Sequence, residues 1–374
     1  MKTLRIGQIF GIDIRIDVSW LMIAFLVGWS FYIQYDTVFP ALGPGATVPL
    51  AGFSVLVFFG SVLLHELSHS VVARRLGIPV ESITLFLFGG VSTTKAEPSE
   101  PRDEFFMAIV GPLTSLALAA LSWLVVNLTG DLLADPIAYA VGYIGWLNLA
   151  LGLFNLLPGF PLDGGRVLRS ILWRASGDQA AATRGAARTG KVIATLMIGL
   201  GIVSVFWGNL GGLWFAAIGW FLLQAAAAAD QDVTLRLVLK EALARDVMSP
   251  DLVTIPSEST IKAAVDEYFL RYDHSAFPVS GSEKPGLLTL RAVRQVPRDQ
   301  WDYRQVWTAA VGLDETTTVG PDTPMTQVLE RLRELDHERV LVVEGTEILG
   351  IITPRDVARW VRRSEELGLG GSDH

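Results

Sequence analysis

Residues 61–80, SVLLHELSHSVVARRLGIPV, contain the stretch whose residue types and spacing point most directly to chemistry. His65 and His69 are four apart, so on a helix they share one face and both imidazoles can reach one Zn²⁺. Glu66 is one residue on, rotated about 100° around a helix of 3.6 residues per turn. It projects beside such a metal, where it can take a proton from a water the metal activates. A catalytic zinc usually has three protein ligands and keeps one position for water, so a third ligand is expected elsewhere. The best candidate is Asp163, in NLALGLFNLLPGFPLDGGRVLRS. Pro158 and Pro161 break the helix before it, and Gly159, Gly164 and Gly165 let the chain bend so that the carboxylate turns inward. The plainer reading of Asp163 is a helix-end residue paired with Arg166. The chain contains no cysteine, which excludes disulfides, iron–sulfur clusters and thiol nucleophiles.

The elements that must position these residues are apolar. Of 374 residues 51% are hydrophobic and only 18% charged, against about a quarter charged in an average soluble protein. The mean hydropathy is +0.41. A membrane helix needs roughly 20 mostly apolar residues. Six segments qualify, near 18–36, 50–73, 105–126, 137–157, 190–207 and 211–229. The H-E-x-x-H pattern therefore falls inside a membrane helix. Two histidines and a glutamate there have few structural uses, because ionisable groups in hydrocarbon are costly.

Lys and Arg alternate across the connections. Lys2, Arg5 and Arg15 precede the first span, and 37–49 has none. Arg74, Arg75, Lys95 and Arg102 follow the second, and 127–136 has none. Arg166, Arg169, Arg174, Arg184 and Arg188 follow the fourth, and 208–212 has none. Basic residues stay on the cytoplasmic side, so the N-terminus and everything after residue 230 are expected there. His65 lies nine residues before Arg74, roughly 13 Å deeper at 1.5 Å per residue. No removable signal peptide is expected from the N-terminal residues. The net charge of −8 gives no reason to expect nucleic acid.

After residue 230 the composition becomes charged and mixed, and two segments repeat. Residues 267–296 resemble 330–360; His274 aligns with His337, and Gly286 with Gly350. Each unit reads helix, strand, strand, helix. His274, His337 and His374 read as ordinary surface residues.

HELSH in the second span, with FNLLPGFPLDGG at the end of the fourth, resembles the site-2 protease family of intramembrane zinc metalloproteases. That family carries H-E-x-x-H and N-x-x-P-x-x-x-x-D-G, and both are present. The resemblance covers about residues 1–230. It implies His65, His69 and Asp163 as the ligands of one zinc ion and Glu66 as the catalytic acid/base, with Asn155 near the site. Asn148 reads as a helix-packing residue. It also implies a transmembrane substrate, cleaved within or near its span in the manner of regulated intramembrane proteolysis, by a multi-pass protein of a prokaryotic cell membrane. Residues 81–94 read as a re-entrant β-hairpin with Gly89 and Gly90 at its turn, whose edge could take up an unwound substrate as an added strand; the plainer reading is a surface loop. Residues 104–123, with Gly111 and Pro112, read as closely packed scaffold.

The repeats resemble a tandem pair of CBS domains, a cytoplasmic α/β unit within 231–374, at about 243–300 and 306–363. The expected fold is thus a polytopic α-helical membrane domain of about six transmembrane helices followed by this pair. CBS pairs commonly bind adenine nucleotides. The second repeat has the motif as GIITPRD, which implies Thr353 for phosphate and Asp356 for ribose hydroxyls. The first reads GLLTLRA, with Thr289 kept and Ala292 where Asp is expected. A packing role, including a homodimer through the CBS domains, is the plainer reading. The competing reading of the whole chain is a CBS-regulated membrane transporter or channel. The absence of an internal repeat among the six spans and the hydrolytic pattern at His65, Glu66 and His69 weigh against it.

Overall fold

A computed structural model describes residues 3–367 except 88, 95, 241, 251, 273, 282–285, 313–317, 335–338 and 346. The chain divides into two compact units, Met1–Gln231 and Asp232–His374.

The first unit begins with a hairpin that the sequence reading does not predict. Strands β1 (Thr3–Ile9) and β2 (Ile12–Asp17) pair antiparallel across Phe10 and Gly11, both at positive φ. In β2 the sequence IDIRID alternates, so Ile12 and Ile14 are buried while Asp13 and Arg15 face outward. Strands β3 (Val80–Phe86) and β4 (Gly89–Thr94) form the expected hairpin. β2 pairs parallel with β3, giving one four-stranded sheet of order β1-β2-β3-β4. Ile12, Ile14 and Ile83 pack with Leu67, Ala73 and Met107, which seats the sheet on the helix that carries His65 and His69.

Among the described residues of this unit seven α-helices run along the chain: α1 (Val18–Val38), α2 (Pro44–Arg75), α3 (Pro101–Thr129), α4 (Asp135–Asn155), α5 (Asp163–Ser176), α6 (Gln179–Phe206) and α7 (Gly211–Val238). All but α5 are long and apolar enough to cross a membrane. Their outward faces expose large apolar side chains such as Leu21, Phe25, Phe53, Leu56, Leu196 and Leu200, which suits a lipid solvent. Inside, small residues allow close approach. A Cβ on Gly145 or Gly152 of α4 would stand 3.0 Å from Ser122 or Leu116 of α3.

The six expected spans are all present, and the connection between the fourth and fifth is itself helical. It holds α5, from Asp163 to Ser176, and the first turns of α6. Hydropathy cannot see α5, because its buried face is Gly164, Gly165, Arg169 and Ser170 rather than an apolar stripe. The helix stops at Gly177, whose φ is 74°. Asp178 then caps α6, accepting from the Ala181 amide at 3.0 Å.

The second unit is a repeated α/β arrangement. Its first half pairs strands Ala276–Ser280 and Gly286–Thr289, between helical residues 261–269 and helix Leu290–Gln295. The second pairs Val340–Glu344 and Glu347–Ile352, between helices Met325–Glu334 and Pro354–Glu366. Each half has its own core, one around Phe277, Leu288 and Val306, the other around Met325, Val342 and Ile352. His274 is exposed and stacks on Tyr272; His337 and His374 lie outside the described residues.

Candidate metal centre

α2 turns His65 and His69 to one side, and both are almost fully buried, 3% and 5% exposed. Asp163, first residue of α5, meets them from across the fold. Its Oδ2 lies 3.1 Å from His65 Nε2 and 3.2 Å from His69 Nε2. One donor atom from each residue falls within a 4.8 Å group. Two imidazole nitrogens and a carboxylate oxygen suit Zn²⁺ with a position left for water.

The far side of each imidazole is held. His69 Nδ1–H donates to the Met107 carbonyl at 2.6 Å, which leaves Nε2 with its lone pair facing Asp163. His65 Nδ1 meets the hydroxyl of Ser115, itself fully buried, at 2.9 Å. Such outer partners fix tautomer and ring orientation in metal sites. Both come from α3. So does Gly111, whose absent side chain makes the room. A Cβ there would lie 2.7 Å from His65 Nε2 and closer still to His69 Nε2.

Glu66 lines the same cavity, which has a volume of about 630 Å³. Gly90 of β4 packs on it; a Cβ at Gly90 would stand 2.9 Å from Glu66 Cδ. β4 forms one wall, and Trp214, Ile218, Phe221 and Ala225, on one face of α7, form another.

Asp163 is positioned locally by glycines. A Cβ on Gly164 would collide with the Leu156 carbonyl, and one on Gly165 with the Gly159–Phe160 backbone. The plainer pairing of Asp163 with Arg166 is not the arrangement found. Asp163 faces the imidazoles, and Arg166 Nε lies 3.8 Å from Glu104 Oε1.

Asn155 lines the cavity, and its Nδ2 donates to the Leu151 carbonyl at 3.1 Å. Asn148 is buried and donates to the Ile144 carbonyl. Sequence reasoning missed Ser115 and Met107. A serine in an apolar span was a signal for the first; a backbone carbonyl offers none.

In the second unit, Asp356 is 5% exposed and engaged within the chain. It accepts from Thr353 N at 2.9 Å, Thr353 Oγ1 at 2.6 Å and Ser249 Oγ at 2.8 Å, and pairs with Arg359. In the first repeat Thr289 Oγ1 caps the helix through the Ala292 amide at 3.1 Å, and Ala292 returns no bond.

The chain matches peptidase family M50 over residues 53–141 and 128–198, and the CBS domain family over 244–298 and 313–363. It is 38% identical to the protein named Rip3 of Mycobacterium tuberculosis, covering 95% of this chain and 92% of Rip3. It is 33% identical to sll0528 of Synechocystis sp., covering 97% and 96%. The names of both class them as zinc metalloproteases. Among solved structures, the site-2 protease from Methanocaldococcus jannaschii is 28% identical, with a TM-score of 0.46, covering 61% of this chain and 95% of that one. Six apolar spans and full-length similarity to zinc metalloproteases lead to one conclusion: the chain belongs to peptidase family M50, the site-2 proteases, as an integral membrane zinc metalloprotease with a C-terminal CBS pair.

Proposed function

We propose that this protease hydrolyses a peptide bond within or near a transmembrane segment of a membrane-protein substrate. His65, His69 and Asp163 hold the zinc, and Glu66 is the acid/base. The observation that carries this is the meeting of the three donor atoms within 4.8 Å, in a cavity Glu66 shares.

When bound, zinc supplies a Lewis acid that makes water acidic near neutral pH and polarises a carbonyl. Glu66 takes one proton from the attacking water, whose oxygen bonds to the scissile carbon. As the C–N bond breaks, the Glu66 carboxyl delivers that proton to the amine nitrogen. Ser115 and the Met107 carbonyl keep the two Nε2 atoms oriented throughout.

A substrate helix shields its own peptide groups, so it must unwind first. β4 is an edge strand and Gly89–Ser92 lies in the cavity wall. This supports capture of the unwound segment as an added strand. The Lys/Arg alternation supports a cytoplasmic N-terminus and CBS pair, with water reaching the site from that side, and the prokaryotic sources of the similar proteins support a prokaryotic cell membrane. The CBS pair would bind an adenine nucleotide at Thr353 and Asp356, once the Ser249 and Arg359 contacts of Asp356 open, and so modulate cleavage. It would also be the surface for a homodimer.

The deciding test is Glu66→Gln. Zinc content should be unchanged and cleavage of a membrane substrate should fall at least about 10²–10⁴-fold. Near-normal cleavage would refute the assignment.

A further inference from the structure

Asp163 must meet two histidines on a different helix, and its own helix has only 14 residues. The glycine contacts at Gly164 and Gly165 pack its start on residues 156–160. A polar tie to α3 comes further along. Arg169 Nε donates to Glu104 Oε1 at 2.6 Å, and Arg169 Nη2 donates to the same oxygen. Glu104 is fully buried and Arg169 is 9% exposed. Arg166 brings Nε to 3.8 Å from that oxygen and Nη2 to 3.7 Å from Met107 Sδ. The Arg169 guanidinium also lies over the Phe160 ring, 5.2 Å from its centre.

One turn of α3, Glu104–Met107, therefore touches both sides of the metal centre. Glu104 grips α5 through Arg169, and the Met107 carbonyl orients His69. We propose that Glu104, acting through Arg169, is a positioning residue for the metal centre: the buried pair sets where α5 sits along α3, and so brings Asp163 to the two imidazoles. This rests on the metal-site reading above.

Stability alone accounts poorly for the pair. A buried ion pair can often be replaced by apolar residues at no loss. Here the pair is also incompletely satisfied, since Glu104 Oε2 has no hydrogen-bond partner among the described residues. What an apolar contact lacks is direction. A guanidinium fork on one carboxylate oxygen resists sliding of α5, which dispersion contacts tolerate.

Charge and geometry predict opposite results for one variant. Arg169→Gln removes a cation near the site, so a purely Coulombic role predicts tighter zinc binding. A positioning role predicts weaker binding.

The experiment uses the full chain in detergent, with zinc affinity measured by chelator competition and thermal unfolding measured with and without metal. Glu104→Gln and Arg169→Gln should each weaken zinc binding about 10–100-fold, as loss of outer-shell support does. Arg169→Lys keeps the charge, is expected to fold even where the others do not, and should fall between them and wild type. Tighter binding by Arg169→Gln, or affinities within twofold of wild type in every folded variant alongside lowered melting temperatures, would overturn the brace and leave Glu104 a scaffold residue. Wild-type protein that takes up no zinc would instead overturn the metal-site reading, and the brace with it.

Discussion

Gly111→Ala tests the candidate metal centre with one methyl group. The new Cβ would lie 2.7 Å from His65 Nε2 and nearer still to His69 Nε2. An ordinary contact needs about 3.5 Å or more, so the imidazoles or α3 must shift by roughly 1 Å. Metal–ligand distances tolerate only about 0.2 Å. The methyl also sits on the Nε2 side, where the proposed ion would bind. Moving α3 away gives no relief, because Ser115 and the Met107 carbonyl would move with it. Loss of outer support alone costs about 10–100-fold in metal affinity, so direct obstruction should exceed about 100-fold. The metal-free fold should survive. Overpacking costs about 1–3 kcal/mol, and alanine recovers up to about 1 kcal/mol over glycine within a helix. The assay is zinc content and chelator competition on purified protein, beside a thermal melt of the metal-free form. Gly142→Ala on α4 is the control, since nothing lies within 4 Å of its added Cβ. A Gly111→Ala protein with a full equivalent of zinc at wild-type affinity would refute the geometry argued here.

Other outcomes are expected at single residues. His65→Ala, His69→Ala and Asp163→Ala should each lower zinc content at equal purity; full zinc in Asp163→Ala would move the third ligand elsewhere. Ser115→Ala removes the partner of His65 Nδ1 and should weaken zinc binding by about tenfold or more, read by the same chelator competition. In the second unit, Asp356→Ala should weaken binding of ATP, ADP or AMP by the whole protein far more than Thr289→Ala does. Calorimetric titration decides this, and no binding by the wild type would leave the CBS pair an assembly module.

Much of the membrane unit was legible because its signals are local. A run of some 20 apolar residues must be a helix in lipid, since only a helix satisfies its own backbone there. Four-residue spacing puts His65 and His69 on one face whatever surrounds them. The repeat after residue 230 announced a paired α/β unit in the same way. The limits of this reading fall where apolarity stops tracking structure. α6 begins at Gln179, before the apolar run, and α5 buries glycine, serine and arginine rather than leucine.

What only the tertiary structure decided is which distant residues meet. Nothing in IDIRID says that β2 will pair with β3, some 70 residues away, because an alternating strand fits many partners. Ser115 reads as a small residue for packing until it lies 2.9 Å from His65 Nδ1, 50 residues back. Glu104 belongs to a segment that reads only as packed scaffold until Arg169, 65 residues on, closes over it. Periodicity is set by the backbone of each helix and can be read one segment at a time. The partner of a buried polar group is set by how the helices cross, and that is a property of the packed whole.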